Sequence, residues 1–318
     1  MANDLLIKAA TYNYPEQIPV GFGILPAVFI RYGDDVKKIL EKHEDLVGGW
    51  WQGYDPYANL SESYRKGGYT DPWGCIWSNE FDGMAAIVTG HPVPTRADVH
   101  TMKLPEGDAG LPHGFMYLRL LDLRGFEEAM IDFVEEPPEL QMLIDKVLEY
   151  NIGQIKKLLE NNSEPMVYFG DDLGMQKGLA IGPEKWRKYM KPCFGAIYKL
   201  CKDAGKLIYM HTDGDIHEIM PDLQECGVDM INPQIRACGL DNLERVCKGK
   251  IPINLDLDRQ LFPFGTPAEI RAHVYECVER LYLPEGGLGL SIEIGPDYPL
   301  ENIEAICEAA SEIRYYKG

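Results

Sequence analysis

The stretch LIYMHTDGDI (207–216) runs apolar as far as Met210 and then stops on His211, Thr212, Asp213, Gly214 and Asp215. A short continuous apolar run bounded by turn residues is the pattern of a strand buried on both faces, as in a parallel sheet. Its abrupt polar end reads as the delivery of a histidine and carboxylates to the open end of that sheet.

The same pattern repeats on both sides. MVYF (166–169) precedes the loop GDDLGMQKG, then a helix from Pro183 with Trp186, Met190, Cys193, Phe194, Ile197 and Cys201 at helical spacing. After 207–211 a helix is expected through Leu223, then strand DMIN (229–232), helix 241–247 and strand IPINLD (251–256). Thr266-Pro267-Ala268-Glu269 is a capping box with proline at the first helical position, opening a helix with Ile270, Val274, Cys277, Val278 and Leu281. LGLSIE (288–293) is the last strand, and a helix with Ile303, Ile306, Cys307, Ala310 and Ile313 follows. Helix 137–160 is strongly periodic and is read as structural.

Alternating strands and helices imply an α/β protein with a parallel sheet. No GxGxxG opens a helix, so a dinucleotide-binding fold is disfavoured. The prediction is a (β/α)8 TIM barrel, a single domain over 1–318, with IPVGFGI (18–24) as an early strand. The region 32–115 is less regular; GGWWQGYDPY (48–57) and YTDPWGCIWSNEFDG (69–83) read as aromatic-rich N-terminal loops over the barrel mouth. In such a barrel catalytic groups sit at the C-terminal strand ends. Each late strand does end in polar residues: Asp171 and Asp172, His211 and Asp213, Asn232 and Gln234, Asn254 and Asp256, and Glu293.

A chain of 318 residues that is 45% hydrophobic and 25% charged can build a sizeable core. Its formal charge of −19 argues against nucleic acid and anionic membrane surfaces. The eight cysteines are all at least eight positions apart, which excludes CxxC zinc ribbons and redox motifs and suits a reducing compartment. The start MANDLLIKAA does not read as a signal peptide and no apolar run reaches membrane length, so a cytoplasmic protein is expected.

His211 could be a satisfied core histidine or a site residue. Asp213, two residues on, can face the same side of an extended chain. His-x-Asp can bind a metal or act as an acid with its orienter. Asp215 is read as a helix cap before Ile216, and His217 as a surface residue on that helix. Of Asp171 and Asp172, one is expected to face the pocket and the other to bond a loop; Asp256 and Asp258 pose the same choice. There is no nucleophile elbow or P-loop, and Asp108 and His113 lack the spacing of a cobalamin-ligating loop.

Several blocks together resemble the uroporphyrinogen decarboxylase superfamily, from about residue 66 to the end. They are YTDPWGCIW, LRLLDLRGFEEAMIDF (118–133), GDDLGMQKGLAIGPEKWRKYMKP (170–192), HTDGDI with PDLQECGVDMINPQ, LFPFGTPAEI and PLENIEAI. The resemblance implies a (β/α)8 barrel. The decarboxylases carry an Arg-Gln-Ala-Gly-Arg stretch after the first strand for porphyrinogen carboxylates; here that place reads GFGILPAVFIRYG, with only Arg31 in reach. The zinc-dependent, corrinoid-linked methyltransferase branch has His-x-Cys-Gly and a late cysteine. His211 matches the histidine, Asp213 stands where the first cysteine is expected, and Glu293 is the plausible third ligand.

A His211, Asp213, Glu293 zinc site would be harder than His-Cys-Cys and suited to an oxygen leaving group. The implied function is a methyltransferase that moves a methyl group from a methoxylated, aromatic or small donor to the cob(I)alamin of a separate corrinoid protein. His211, Asp213 and Asp172 are the expected catalytic residues. Gln234, Asn232 and Asp256 would contact substrate, with Trp50, Trp51, Trp73 and Trp77 as ring walls. The alternative is a decarboxylase or other lyase acting on a carboxylated substrate.

Overall fold

A computed structural model describes residues 2–107 and 111–318. Asp108 lies outside the described residues. Among those described, the strands are β1 (Val20–Ile24), β2 (Gly67–Thr70), β3 (Ile76–Asn79), β4 (Ile87–Gly90), β5 (Met166–Gly170), β6 (Leu207–Thr212), β7 (Met230–Pro233), β8 (Ile253–Asp256) and β9 (Leu288–Ile294). The chain divides into two compact units: Met1–Gly67 with Asn79–Ala86 and Gln234–Gly318, and Gly68–Ser78 with Ile87–Pro233.

In the first unit β9 pairs in parallel with both β1 and β8. All four residues of β8 are buried, and helices Pro267–Leu281 and Leu300–Ile313 pack on each other with Ile270, Val274, Ile303 and Ile306 fully enclosed. The first of these helices starts as its sequence predicts. The Thr266 hydroxyl accepts the Glu269 N–H at 3.3 Å, and the Glu269 carboxylate accepts the Thr266 N–H at 2.8 Å.

In the second unit β6 is flanked by β5 and β7, all parallel. The apolar residues of β6 pack between layers, with Ile208 and Met210 fully buried. Helix Lys191–Asp203 covers this sheet through Phe194 and Tyr198; Phe169 meets the Tyr198 ring edge-on at 4.9 Å. A π turn, Trp186–Met190, leads into that helix just ahead of Pro192, which has no N–H to continue an α ladder. Pro138–Asn161 forms the long periodic helix expected from its sequence.

The region 32–115 departs from the expectation of loops alone. It contains helix Asp34–Lys42 and the small sheet β2-β3-β4, in which β3 and β4 run antiparallel with Trp77 opposite Val88. These strands are four residues long and mostly exposed or half-buried, and β2 and β4 carry glycine, so no hydrophobic period marks them. All eight cysteines are free thiols, seven of them buried as small apolar side chains. No helix of the described residues is long and apolar enough to cross a membrane.

Candidate active site

Parallel register sets the site. Gly170 of β5, His211 of β6 and Asn232 of β7 stand side by side, one per strand, at the polar end of the second unit's sheet. The His211 Nδ1–H donates to Asn232 Oδ1 at 2.7 Å. Its other nitrogen, Nε2, lies 3.2 Å from Asp213 Oδ1 and 3.9 Å from Asp172 Oδ1. Both ring nitrogens therefore face acceptors, which only the doubly protonated ring can satisfy. Burial acts to lower the His211 pKa, but the Asp213 carboxylate, Asn232 and Asp172 outweigh it and carry the group up to about 9.

Backbone contacts hold the carboxylates in place. The Asp213 N–H donates to Asp172 Oδ1 at 3.1 Å, and the Thr212 hydroxyl accepts the Leu173 N–H at 3.0 Å. The loops after β5 and β6 touch at Gly174 and Gly214: the Gly174 N–H donates to the Asp213 carbonyl, and a Cβ on Gly214 would lie 2.1 Å from the Gly174 carbonyl carbon. Gly214 also has φ +83°, where a side chain is strained. The other oxygen of Asp172 meets His113 Nε2 at 3.0 Å, and this partner raises the His113 pKa. The His113 and His211 rings lie 5.5 Å apart between centroids.

His113 joins the site without any mark in the local sequence pattern. It precedes helix Tyr117–Arg124 in an irregular segment, and no local period marks it. The available signal was Gly170, a bare strand end beside His211, which leaves room for a ring from elsewhere: a Cβ there would be 2.4 Å from His113 Nδ1.

His211, Asp213, Asp172 and Asn232 come together in the second unit. Asn232 faces His211 and orients it, whereas the sequence reading assigned it to substrate. Asp171 and Asp172 diverge as an extended chain requires: Asp171 is fully buried and accepts the N–H groups of Met116, Tyr117 and Leu118. The expected helix cap at Asp215 is corrected. That helix begins at Met220, and Asp215 instead accepts the His217 N–H at 3.3 Å and pairs with the His217 ring at 2.6 Å in a turn. His217 is accordingly half-buried and not on the helix.

The four tryptophans expected as ring walls differ in their surroundings. Trp73 is buried, edge-on to Tyr150 at 4.7 Å and beneath Arg119. Trp77 donates its indole N–H to Asp71 Oδ2 at 3.1 Å and stacks on Tyr69. In YTDPWGCIW, Asp71 is the organising group: its Oδ1 accepts the Trp73 and Cys75 N–H groups, and its Oδ2 pairs with Arg119 at 2.9 Å. In the first unit Trp51 is buried, while Trp50 is 48% exposed beside Phe29 and Tyr54. Gln234 bridges to Asp256 through backbone; Asp256 and Glu293 both pair with Arg259, at 3.0 and 2.8 Å.

The second unit also offers a candidate set of metal ligands. Among the described residues, His113, Asp172 and His211 each offer one ligand atom, all within 4.8 Å of one another. His211 is shared with the expected set of His211, Asp213 and Glu293; Asp213 Oδ1 lies 3.2 Å from His211 Nε2, and in the first unit Glu293 pairs with Arg259. Two imidazoles and a carboxylate suit zinc, and Asn232 on His211 Nδ1 is the kind of outer partner that orients a ligating ring.

The family model for uroporphyrinogen decarboxylase (URO-D) matches residues 119–313, and the chain belongs to that family. Members of the family are enzymes, and membership supports a decarboxylase or a related methyltransferase-type function. No curated protein matches the chain. Among solved structures, a Xanthomonas albilineans dihydropteroate synthase with 4-aminobenzoic acid is similar at 16% identity and a TM-score of 0.32, over 47% of this chain. The match spans about half, 54%, of that structure's length.

Proposed function

We propose that the chain is a methyltransferase moving a methyl group from a methoxylated, aromatic or small, donor to the cob(I)alamin of a separate corrinoid protein. The observation that carries the reading is the His211 ring set between two acceptors, Asn232 Oδ1 at 2.7 Å from Nδ1 and Asp213 Oδ1 at 3.2 Å from Nε2, an arrangement that favours the doubly protonated ring. As the methyl carbon leaves oxygen for the corrinoid's cobalt, the bonding electrons stay on oxygen. An alkoxide or phenolate is a poor leaving group, and the His211 Nε2 proton passes to it. Asn232 keeps the remaining Nδ1–H and fixes the ring, and Asp172 and Asp213 favour the return of a proton to Nε2. A zinc ion held by His113, Asp172 and His211 would supply Lewis acidity toward the same oxygen in place of that proton.

The charged side chains favour this over a polycarboxylate substrate. Arg96, Arg119, Arg124 and Arg187 of the second unit are each paired with a carboxylate, and Arg31 of the first donates to the Pro296 carbonyl. With the proposal goes a single (β/α)8 barrel domain over 1–318, a corrinoid protein as partner and a cytoplasmic setting. The second reading, a lyase on a carboxylated substrate, is favoured by the family match itself.

The test supplies a reduced corrinoid protein and a panel of methoxyarenes and follows the Co(I) to methyl-Co(III) spectral change. Methyl transfer that falls by roughly 100-fold or more in His211→Ala supports the proposal. Carbon dioxide release from a carboxylated panel, with no spectral change, overturns it in favour of the lyase.

A further inference from the structure

Helix Tyr117–Arg124 has no side-chain cap from its own neighbourhood. Its first N–H groups are satisfied by Asp171, more than fifty residues away in sequence. Oδ2 of that fully buried carboxylate accepts the Met116 and Tyr117 N–H groups at 3.0 and 2.6 Å, and Oδ1 accepts the Leu118 N–H at 2.9 Å. Any short polar residue ahead of the helix could have capped it locally. A remote carboxylate does something a local one cannot: it fixes the whole segment 113–118 to the end of β5.

Three further contacts connect that anchor to the site. The Asp171 N–H donates to the His211 carbonyl at 3.1 Å, so the anchor is itself tied to β6. The Gly114 N–H donates to the Gly170 carbonyl at 2.8 Å. The His113 ring lies where a side chain on residue 170 would be, with Nδ1 2.4 Å from an ideal Cβ. From there Nε2 reaches Asp172 at 3.0 Å.

We infer that Asp171 is a positioning residue: it clamps the 113–118 segment against β5 and, with the bare backbone of Gly170, sets His113 on Asp172 beside His211. The inference rests on reading His113, Asp172 and His211 as the active site. Asp171→Asn keeps the shape of the side chain but turns an NH2 group toward backbone N–H donors, so part of the clamp fails.

The experiment is histidine-labelled NMR of the full chain, without substrate or metal, with signals assigned by His113→Gln and His211→Gln. The wild type should show a nuclear Overhauser effect between carbon-bound ring protons of His113 and His211. In folded Asp171→Asn that effect should vanish while His211 keeps its shifts. A folded Asp171→Asn with the effect intact overturns the inference. If that variant does not fold, Gly170→Ala decides, because its Cβ would lie 2.4 Å from His113 Nδ1 and must displace the ring, while the Asp171 bonds to the Met116, Tyr117 and Leu118 N–H groups remain. Loss of the effect at near-native melting supports the inference, and its retention overturns it. Because no substrate is present, failure here leaves the methyl-transfer proposal standing. Absence of methyl transfer likewise leaves this result standing.

Discussion

Replacing Asp213 by asparagine tests the protonation of His211. In the native chain burial lowers the His211 pKa, while Asp213, then Asn232 and Asp172, raise it, from 6.5 to about 9 overall. A group whose pKa is raised by folding binds its proton more tightly in the folded chain. Its contribution to stability is therefore complete below pH 6.5 and is lost as pH rises through about 9. At roughly 1.4 kcal/mol per pKa unit, the full shift corresponds to about 3 kcal/mol. Asp213→Asn removes the leading favourable partner and keeps the backbone N–H bonded to Asp172. The His211 midpoint must then fall toward 6.5, followed by NMR on its ring C–H protons. Urea unfolding should show a destabilisation of the order of 2 kcal/mol near pH ~6 that fades near pH ~10. An unmoved midpoint, or equal destabilisation at both pH values, would refute the reasoning.

Zinc on His211 must displace the Nε2 proton, so affinity should rise about tenfold per pH unit up to the His211 pKa. Calorimetry that finds a pH-independent affinity places the ion elsewhere. Gly214→Ala puts a Cβ 2.1 Å from the Gly174 carbonyl carbon at φ +83°. Left-handed strain of about 1–2 kcal/mol and overpacking of about 1–3 kcal/mol should lower the melting temperature by about 4 °C or more. An alanine variant that melts like the wild type would show that the two loops do not touch. Thr266→Ala breaks the capping box and should cost about 1 kcal/mol without moving the His211 midpoint; a neutral effect on unfolding contradicts the cap.

The parallel strands were legible because burial on both faces forces uninterrupted apolar runs, as at LIYMH, and because Thr266 and Glu269 sign a helix start in four residues. The sheet of β2, β3 and β4 was not, since GGYT, IWSN and IVTG hide no continuous face. His211, Asp213 and Asp172 could be picked out because strand ends carry them. His113 could not, because its place depends on a closure between distant segments that Asp171 and Gly170 enforce. Asp215 shows the limit of local signals. A carboxylate before an apolar residue reads as a cap, yet its neighbour His217 takes it up in a turn, and the helix starts five residues later.

The pH dependence of single-turnover methyl transfer tests the central claim most directly, with a saturating methoxyarene and a reduced corrinoid protein. If the His211 Nε2 proton goes to the leaving oxygen, the rate stays level through neutral pH and falls above about 9, and His211→Ala abolishes that falling limb. A rate that climbs through neutral pH, or a His211→Ala variant with the wild-type profile, contradicts it.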